Sequence, residues 1–113
     1  MPIELDELQT AVWVFDIEKY SIIWANQAAL RFWDSPSLEA LKKRDLKTGL
    51  SVAVRDSLLQ FQQAFELDQV IQKNWLFTPK GKDAPAFCQF SGHRLADGRM
   101  AMQVEAITTT NIY

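Results

Sequence analysis

The sequence predicts an α+β domain: a five-stranded antiparallel sheet with short helices and one longer helix on one face. Three observations predict it. Short β-rich segments stand near both ends of the chain, AVWVF early and AFCQFSGHRL and MAMQVEAI late. One amphipathic stretch of helical length, VAVRDSLLQFQQAFEL, lies between them. Tight-turn signals, above all Ala96-Asp97-Gly98, join neighbouring β segments, so strands pair with their sequence neighbours. Strands interrupted once by a block of helices make an α+β layer rather than alternating βαβ units.

Taken in order, Pro2 to Gln9 reads as a short amphipathic helix whose early acids suit the positive end of the helix dipole. Ala11 to Phe15 is a strand too short for a helix, Asp16-Ile17-Glu18-Lys19-Tyr20 a hairpin connection, and Ser21 to Trp24 the returning strand. The two-residue period puts Trp13 and Phe15 on one face, Val12 and Val14 on the other, and pairs Ile22 with Trp24. At Asn26 the pattern turns helical, and Ala29, Phe32 and Trp33 share a face. Ser35-Pro36 restarts the chain, with Ser as cap and Pro at the first position of a helix over SPSLEALKKR that turns Leu38 and Leu41 inward. Asp45 to Gly49 is a loop. Ser51 caps the longest helix, Val52 to Leu67, where Val54, Leu58, Phe61 and Phe65 form one apolar stripe. Val70 to Thr78 is a strand, Pro79 to Asp83 a turn, Ala86 to Leu95 a longer strand and Met100 to Ile107 the last. In that last strand Met100, Met102, Val104 and Ala106 read inward and Ala101, Gln103 and Glu105 outward; Ile107 breaks the alternation.

The 113 residues make one domain, with residues 1–10 as an N-terminal helical cap, 11–108 as the core and 109–113 as the start of a linker. A net charge of −2 argues against nucleic acid and anionic membranes as partners, and the run Lys42-Lys43-Arg44 reads as a solvated helix end. A single cysteine, Cys88, excludes an intrachain disulfide and fits a reducing cytoplasm. The acidic N-terminus is unlike a signal peptide, and no apolar run approaches the roughly 20 residues of a membrane helix. His93 is the only histidine, so a hydrolytic triad and a three-His zinc site are excluded and no metal is expected. Cys88, between Phe87 and Gln89, reads as a small apolar filler. Gly49, Gly81, Gly92 and Gly98 are too far apart for a phosphate-cradling loop.

VFDIEKYSIIWANQAAL, SPSLEAL, FTPKGKDAP and RLADGRMAMQVEAIT, in that order and spacing, resemble the segments of a PAS domain, the small sensory module of bacterial signalling proteins. The resemblance covers nearly the whole chain. FTPKG and LADGRMAM look most like the PAS domains fused to diguanylate cyclases of the GGDEF class. It implies a non-enzymatic sensory and dimerisation module, homodimeric and cytoplasmic, attached to an output domain in a longer protein. Many members end their last strand in Asp-Ile-Thr; here Ala106-Ile107-Thr108 stands in its place, with Glu105 one residue earlier. Haem-binding members generally take a His from the longer helix, and light-sensing flavin-binding members carry a Cys in an Asn-Cys-Arg-Phe-Leu-Gln helix; residues 51–67 hold no His and the chain lacks that motif. No cofactor is therefore expected.

What remains is aromatic: four Trp, seven Phe and two Tyr. In PAS domains the volume between sheet and helices is where ligands bind when they bind. Trp13, Phe15, Trp24, Phe32, Trp33, Phe61, Phe65, Phe90 and Met102 are the candidate lining here. Trp75, Phe77, Cys88 and Met100 converge on the same interior. The set has two readings, a filled core and a pocket for a small apolar ligand. Leu5, Leu8, Val12, Val14 and Ile23 form a candidate dimer interface on the sheet's other side, with the alternative that the N-terminal helix folds over its own sheet. A rival class is a small enzyme or carrier resembling the ketosteroid-isomerase-like folds. It needs an acid or a tyrosine in the cavity, and Asp16, Asp34 and Tyr20 are the plausible sources. A third reading is a structural dimerisation domain without ligand.

Overall fold

A computed structural model describes residues 10–47, 50–78 and 82–109. Along the chain run β1 (Ala11–Asp16), β2 (Ser21–Ala25), α1 (Gln27–Phe32), α2 (Leu38–Lys42), α3 (Val52–Glu66), β3 (Ile71–Phe77), β4 (Ala84–Arg94) and β5 (Met100–Thr109). The strands form one five-stranded sheet in the order β2-β1-β5-β4-β3, with every pair antiparallel. The first and last strands of the chain thus meet at the centre. The three helices pack over one face: α1 against β1, α2 against β2, and α3 against β4 and β5. The expected fold class stands. Residues 1–9 of the expected N-terminal cap, and residues 48–49, 79–81 and 110–113, lie outside the described residues.

Each element begins where its chemistry allows. Ser51 caps α3 by accepting from the Val54 amide at 3.1 Å, and the stripe follows: Leu58, Phe61 and Phe65 are buried. The second helix departs from expectation. Its cap is Ser37, which accepts from the Ala40 amide at 3.1 Å, while the Ser35 hydroxyl donates to the Ser37 carbonyl. The restart signal was read two residues early, because a second Ser behind Pro36 offers the same capping oxygen closer to Leu38. In the last hairpin Gly98 takes φ +92°, and its amide donates to Leu95 O at 2.9 Å, closing the turn.

Two β-bulges change which side chains share a face. In β1–β2, Val14 pairs with Trp24 and Phe15 with Ile22, so Ile23 is an extra residue on β2. The alternation slips by one there: Ile22 and Ala25 enter the core, and Trp24 joins Val14 on the opposite face. This corrects the expected pairing of Ile22 with Trp24. In β4–β5, Phe87 pairs with Thr108 and Cys88 with Ala106, leaving Ile107 extra and 43 % exposed. The residue that broke the alternation in sequence is the bulge.

The inner face of the sheet and the helices enclose one core, from Trp13 and Phe15 through Leu41, Phe61 and Phe65 to Phe90, Met102 and Val104. Val12 and Val14 do face the other way, opposite Glu105 and Gln103. Yet they are only 1 % and 5 % exposed. They are covered within the single chain and are not the open patch expected of an interface; Ile23 is half-buried. Leu5 and Leu8 lie outside the described residues.

Candidate functional site

The sheet's inner face is broad and the helices that cross it are short, so they do not fill the space above it. A cavity of about 670 Å³ remains between β1, β5, β4 and β3 on one side and the end of α1, the α2–α3 loop and the start of α3 on the other. Five of the expected residues line it: Trp13, Phe15, Trp33, Phe90 and Met102. The remaining four do not. Phe32 stacks on Trp13 at 5.3 Å between ring centroids, and Phe61 packs between Phe65, Trp75 and Phe90 at 5.2 to 6.3 Å; both belong to the core behind the wall. Phe65 lines a smaller cavity of about 300 Å³ with Gly92, Met100 and Arg94. Trp24 is on the far side of the sheet, moved there by the Ile23 bulge.

The other lining residues come from three places. β3 contributes Trp75, Leu76 and Phe77, with Thr78 following; Trp75 and Phe77 are the inward pair that the two-residue period predicts. α3 contributes Val54 and Leu58 from the expected stripe. The α2–α3 connection contributes Arg44, Asp45, Leu46, Leu50 and Ser51, which no periodicity reveals because the segment is neither helix nor strand. Exposed Asp45, Ser51, Leu76 and Thr78 mark the rim, so the cavity opens to solvent there. The floor is aromatic. Trp13, Trp33 and Phe77 meet edge to face, with centroids 5.3 to 5.9 Å apart.

Two polar features stand out in the wall. Arg44 is not the solvated end of a basic run. Lys42 and Lys43 are exposed, but Arg44 is half-buried and folds back on α1, where Nη1 donates to Trp33 O at 2.5 Å and Nη2 to Asp34 O at 2.7 Å. The carbonyls at the end of a helix are orphans, and a cation there satisfies both their hydrogen bonds and the negative end of the dipole. The second feature is the Trp33 indole. Its Nε1–H is buried without a hydrogen-bond partner, alone in this among the described residues. An unmade bond of this kind costs about 1–3 kcal/mol.

The residues proposed for enzyme chemistry are elsewhere. Asp16 is 3 % exposed, but it sits at the end of the first hairpin, bonded to Arg99 Nη1 at 2.9 Å and to the amides of Glu18 and Lys19. Arg99 also holds Asp97 at 2.8 Å and so ties the last hairpin to the first. Tyr20 packs its ring on Phe15 with φ 55°, and Asp34 is exposed past the end of α1 with φ 52°. None of the three lines the cavity. His93 is exposed, opposite Ala101 on the outer face. Cys88 is wholly buried, with Sγ 3.7 Å from Ala86 O, and burial pushes its thiol up to about 12. The thiolate needed for nucleophilic or redox work is thus disfavoured.

A pocket of this size, apolar with few polar groups, has the form of a small-molecule site. No curated protein matches the sequence. Solved structures match it well in shape. The PAS domain of nitrogen regulation protein NR(II) from Vibrio parahaemolyticus is 18% identical with a TM-score of 0.67, over 93% of this chain and 96% of that one. A PAS domain from Desulfitobacterium hafniense is 13% identical with a TM-score of 0.69, over 89% and 94%. A LOV protein from Rhodobacter sphaeroides is 11% identical with a TM-score of 0.65, over 96% and 64%. At these identities the likeness is one of fold. The PAS domain family profile matches residues 5–71, more than half of the sequence, and the chain belongs to the PAS domain family.

Proposed function

We propose that the chain is a non-enzymatic sensory module that reports a small, largely apolar ligand bound between sheet and helices. The observation that carries this reading is the open, aromatic-floored cavity of about 670 Å³. It lies within the roughly 300–1,000 Å³ typical of small-molecule sites. A ligand shifts a signalling equilibrium only by its difference in affinity for two arrangements. The segment best placed to differ is the end of α1, where Trp33 serves as cavity wall and as acceptor for Arg44. β5 runs through the centre of the sheet beside β1 and leads to the C-terminus, so it is the proposed exit for the signal. The output domain we propose is a GGDEF-type diguanylate cyclase in a bacterial, cytoplasmic parent protein, supported by the resemblance of FTPKG and LADGRMAM. A homodimer belongs to the same reading, now resting on Leu5, Leu8 and Ile23. None of Asp16, Asp34 and Tyr20, the sources the catalytic rival relied on, lines the cavity; the one carboxylate among the described lining residues, Asp45, stands exposed on its rim.

Native mass spectrometry of freshly purified protein, followed by a thermal-shift screen of small aromatic metabolites, tests the sensory reading. A retained small molecule, or a dose-dependent rise in melting temperature, supports it. A protein that carries nothing and answers to nothing in the screen leaves a ligand-free structural domain. Sedimentation of the full-length protein as a monomer removes the dimer.

A further inference from the structure

Among the described residues two arginines are half-buried, and they are treated differently. Arg99 meets carboxylates on both sides, Asp16 at 2.9 Å and Asp97 at 2.8 Å. Arg44 meets none. Its bonds go to the carbonyls of Trp33 and Asp34, which fix the guanidinium in the cavity wall, and no carboxylate among the described residues pairs with its charge. The arginine of the smaller cavity, Arg94, is by contrast matched to Glu66 at 2.8 Å.

We propose that the large cavity takes a planar aromatic monocarboxylate, its ring against Trp13, Trp33 and Phe77 and its carboxylate on Arg44. This rests on the ligand-sensing reading above and names the chemistry of the ligand. The aromatic floor favours a flat ring, which gains edge and face contacts beyond simple burial. Arg44 favours a carboxylate, whose oxygens match the guanidinium fork. A single negative charge suits the described rim better than a phosphate: among the described residues Arg44 is the one cationic residue of the lining, and Asp45 stands beside it. Asp45 turns Oδ1 to the Lys47 amide at 2.9 Å, so that oxygen serves its own loop. The ligand carboxylate draws on the same guanidinium that holds the last carbonyls of α1, and occupancy therefore reaches Trp33.

Calorimetric titration with 2-naphthoate and with neutral 2-naphthamide tests this. The expected result is that the acid binds at least about tenfold more tightly, the scale of one charge-assisted pair. Arg44→Gln is expected to bring the acid down to the level of the amide, and Arg44→Lys to keep part of the preference. Equal affinity of acid and amide for the native protein overturns the carboxylate inference and leaves the sensory pocket standing. Failure of both probes to bind likewise overturns the aromatic-carboxylate inference, while the mass spectrometry and metabolite screen above decide the pocket. Because Arg44 also holds α1, circular dichroism checks that each variant is folded; if Arg44→Gln is not, the acid-to-amide ratio of the native protein decides alone.

Discussion

β1 and β3 are strands of one sheet, yet all six residues of β1 are buried and none of the seven in β3 is. β1 lies between β2 and β5 with α1 packed over it; β3 is an edge strand at the mouth of the cavity. Around β1 the polar groups are matched, by Asn26 at one end and by Asp16 with Arg99 at the other. Around the cavity they are less so: Trp33 Nε1 has no partner and Leu76 is 56 % exposed. One side is a closed frame and the other an open wall that the frame holds in position. A fold can carry an unfilled, adjustable site only if its stability comes from elsewhere.

The sharpest way to break that comparison is to remove the same side chain from both regions. Trp13 is 2 % exposed and touches Phe32, Trp33 and Phe77, so Trp13→Ala is expected to cost about 4 kcal/mol. Trp75 is half-buried on the edge strand, and Trp75→Ala is expected to cost about 1–2 kcal/mol; both side chains line the cavity, so the contrast is in stability and either loss weakens a cavity ligand. Urea denaturation of both variants measures the gap. Equal losses would mean that the wall is as structural as the frame.

Asn26 comes next. It is 0 % exposed, and its Oδ1 accepts from the amides of Ala29 at 2.9 Å and Val12 at 3.1 Å, while Nδ2 donates to Thr10 O at 2.9 Å. One side chain therefore caps α1 and secures the start of β1. Asn26→Ala removes the cap and strands a buried amide and carbonyl, for an expected loss of about 3 kcal/mol. Asn26→Asp separates the roles, since it keeps the acceptor and loses the donor to Thr10. It should retain part of the stability in the same denaturation experiment, and an aspartate variant no better than the alanine one would place the weight on Nδ2.

How much of this was readable follows from where each residue sits in a regular element. The order of elements along the chain, the Ser51 cap and the α3 stripe follow local rules, and Asn26 stands at the break between two periods, so these were legible; that β1 and β5 meet at the centre of the sheet was not. Trp24 was misplaced because a bulge adds a residue without any signature in Ile22-Ile23-Trp24. Ile107 escaped that error because it interrupts a long run of alternation. Arg44 was missed because three successive cations look alike in sequence. Only the fold shows that the third turns back onto the carbonyls of α1. The aromatic floor was legible as a set, while half of the rim, Asp45 and Ser51, came from a loop, where no spacing rule applies.

Within the frame, Gly92 offers a smaller perturbation. A Cβ there would sit 2.9 Å from Met100 Sδ and 2.9 Å from Phe65 Cβ. Met100 can yield, but the Phe65 Cβ is fixed to α3, so Gly92→Ala should push α3 from the sheet and cost about 2 kcal/mol. A loss near zero in thermal unfolding would show that α3 moves freely over β4, and would extend the adjustable region beyond the cavity.

The smallest expected effect belongs to the surface ion pairs. The hydrogen bond from Arg99 holds the Asp97 carboxyl below its ordinary value of 3.8, and that from Arg94 holds Glu66 below 4.5. The folded chain therefore binds fewer protons than the unfolded chain in this range. The contribution of these groups is full above their ordinary values and is lost as the pH falls through the lowered folded ones. Both carboxyls are exposed, so solvent and salt screen the effect. Thermal melts at pH 5 and pH 3 should show a modest loss of stability on acidification, smaller in high salt and smaller in Glu66→Gln. Asp16 sets the contrast: its carboxylate is buried and its bond to the half-buried Arg99 is screened less, so Asp16→Asn should destabilise at pH 7 by more than Glu66→Gln does. If the exposed pair proves the stronger, the matched polar groups around β1 are not what closes the frame.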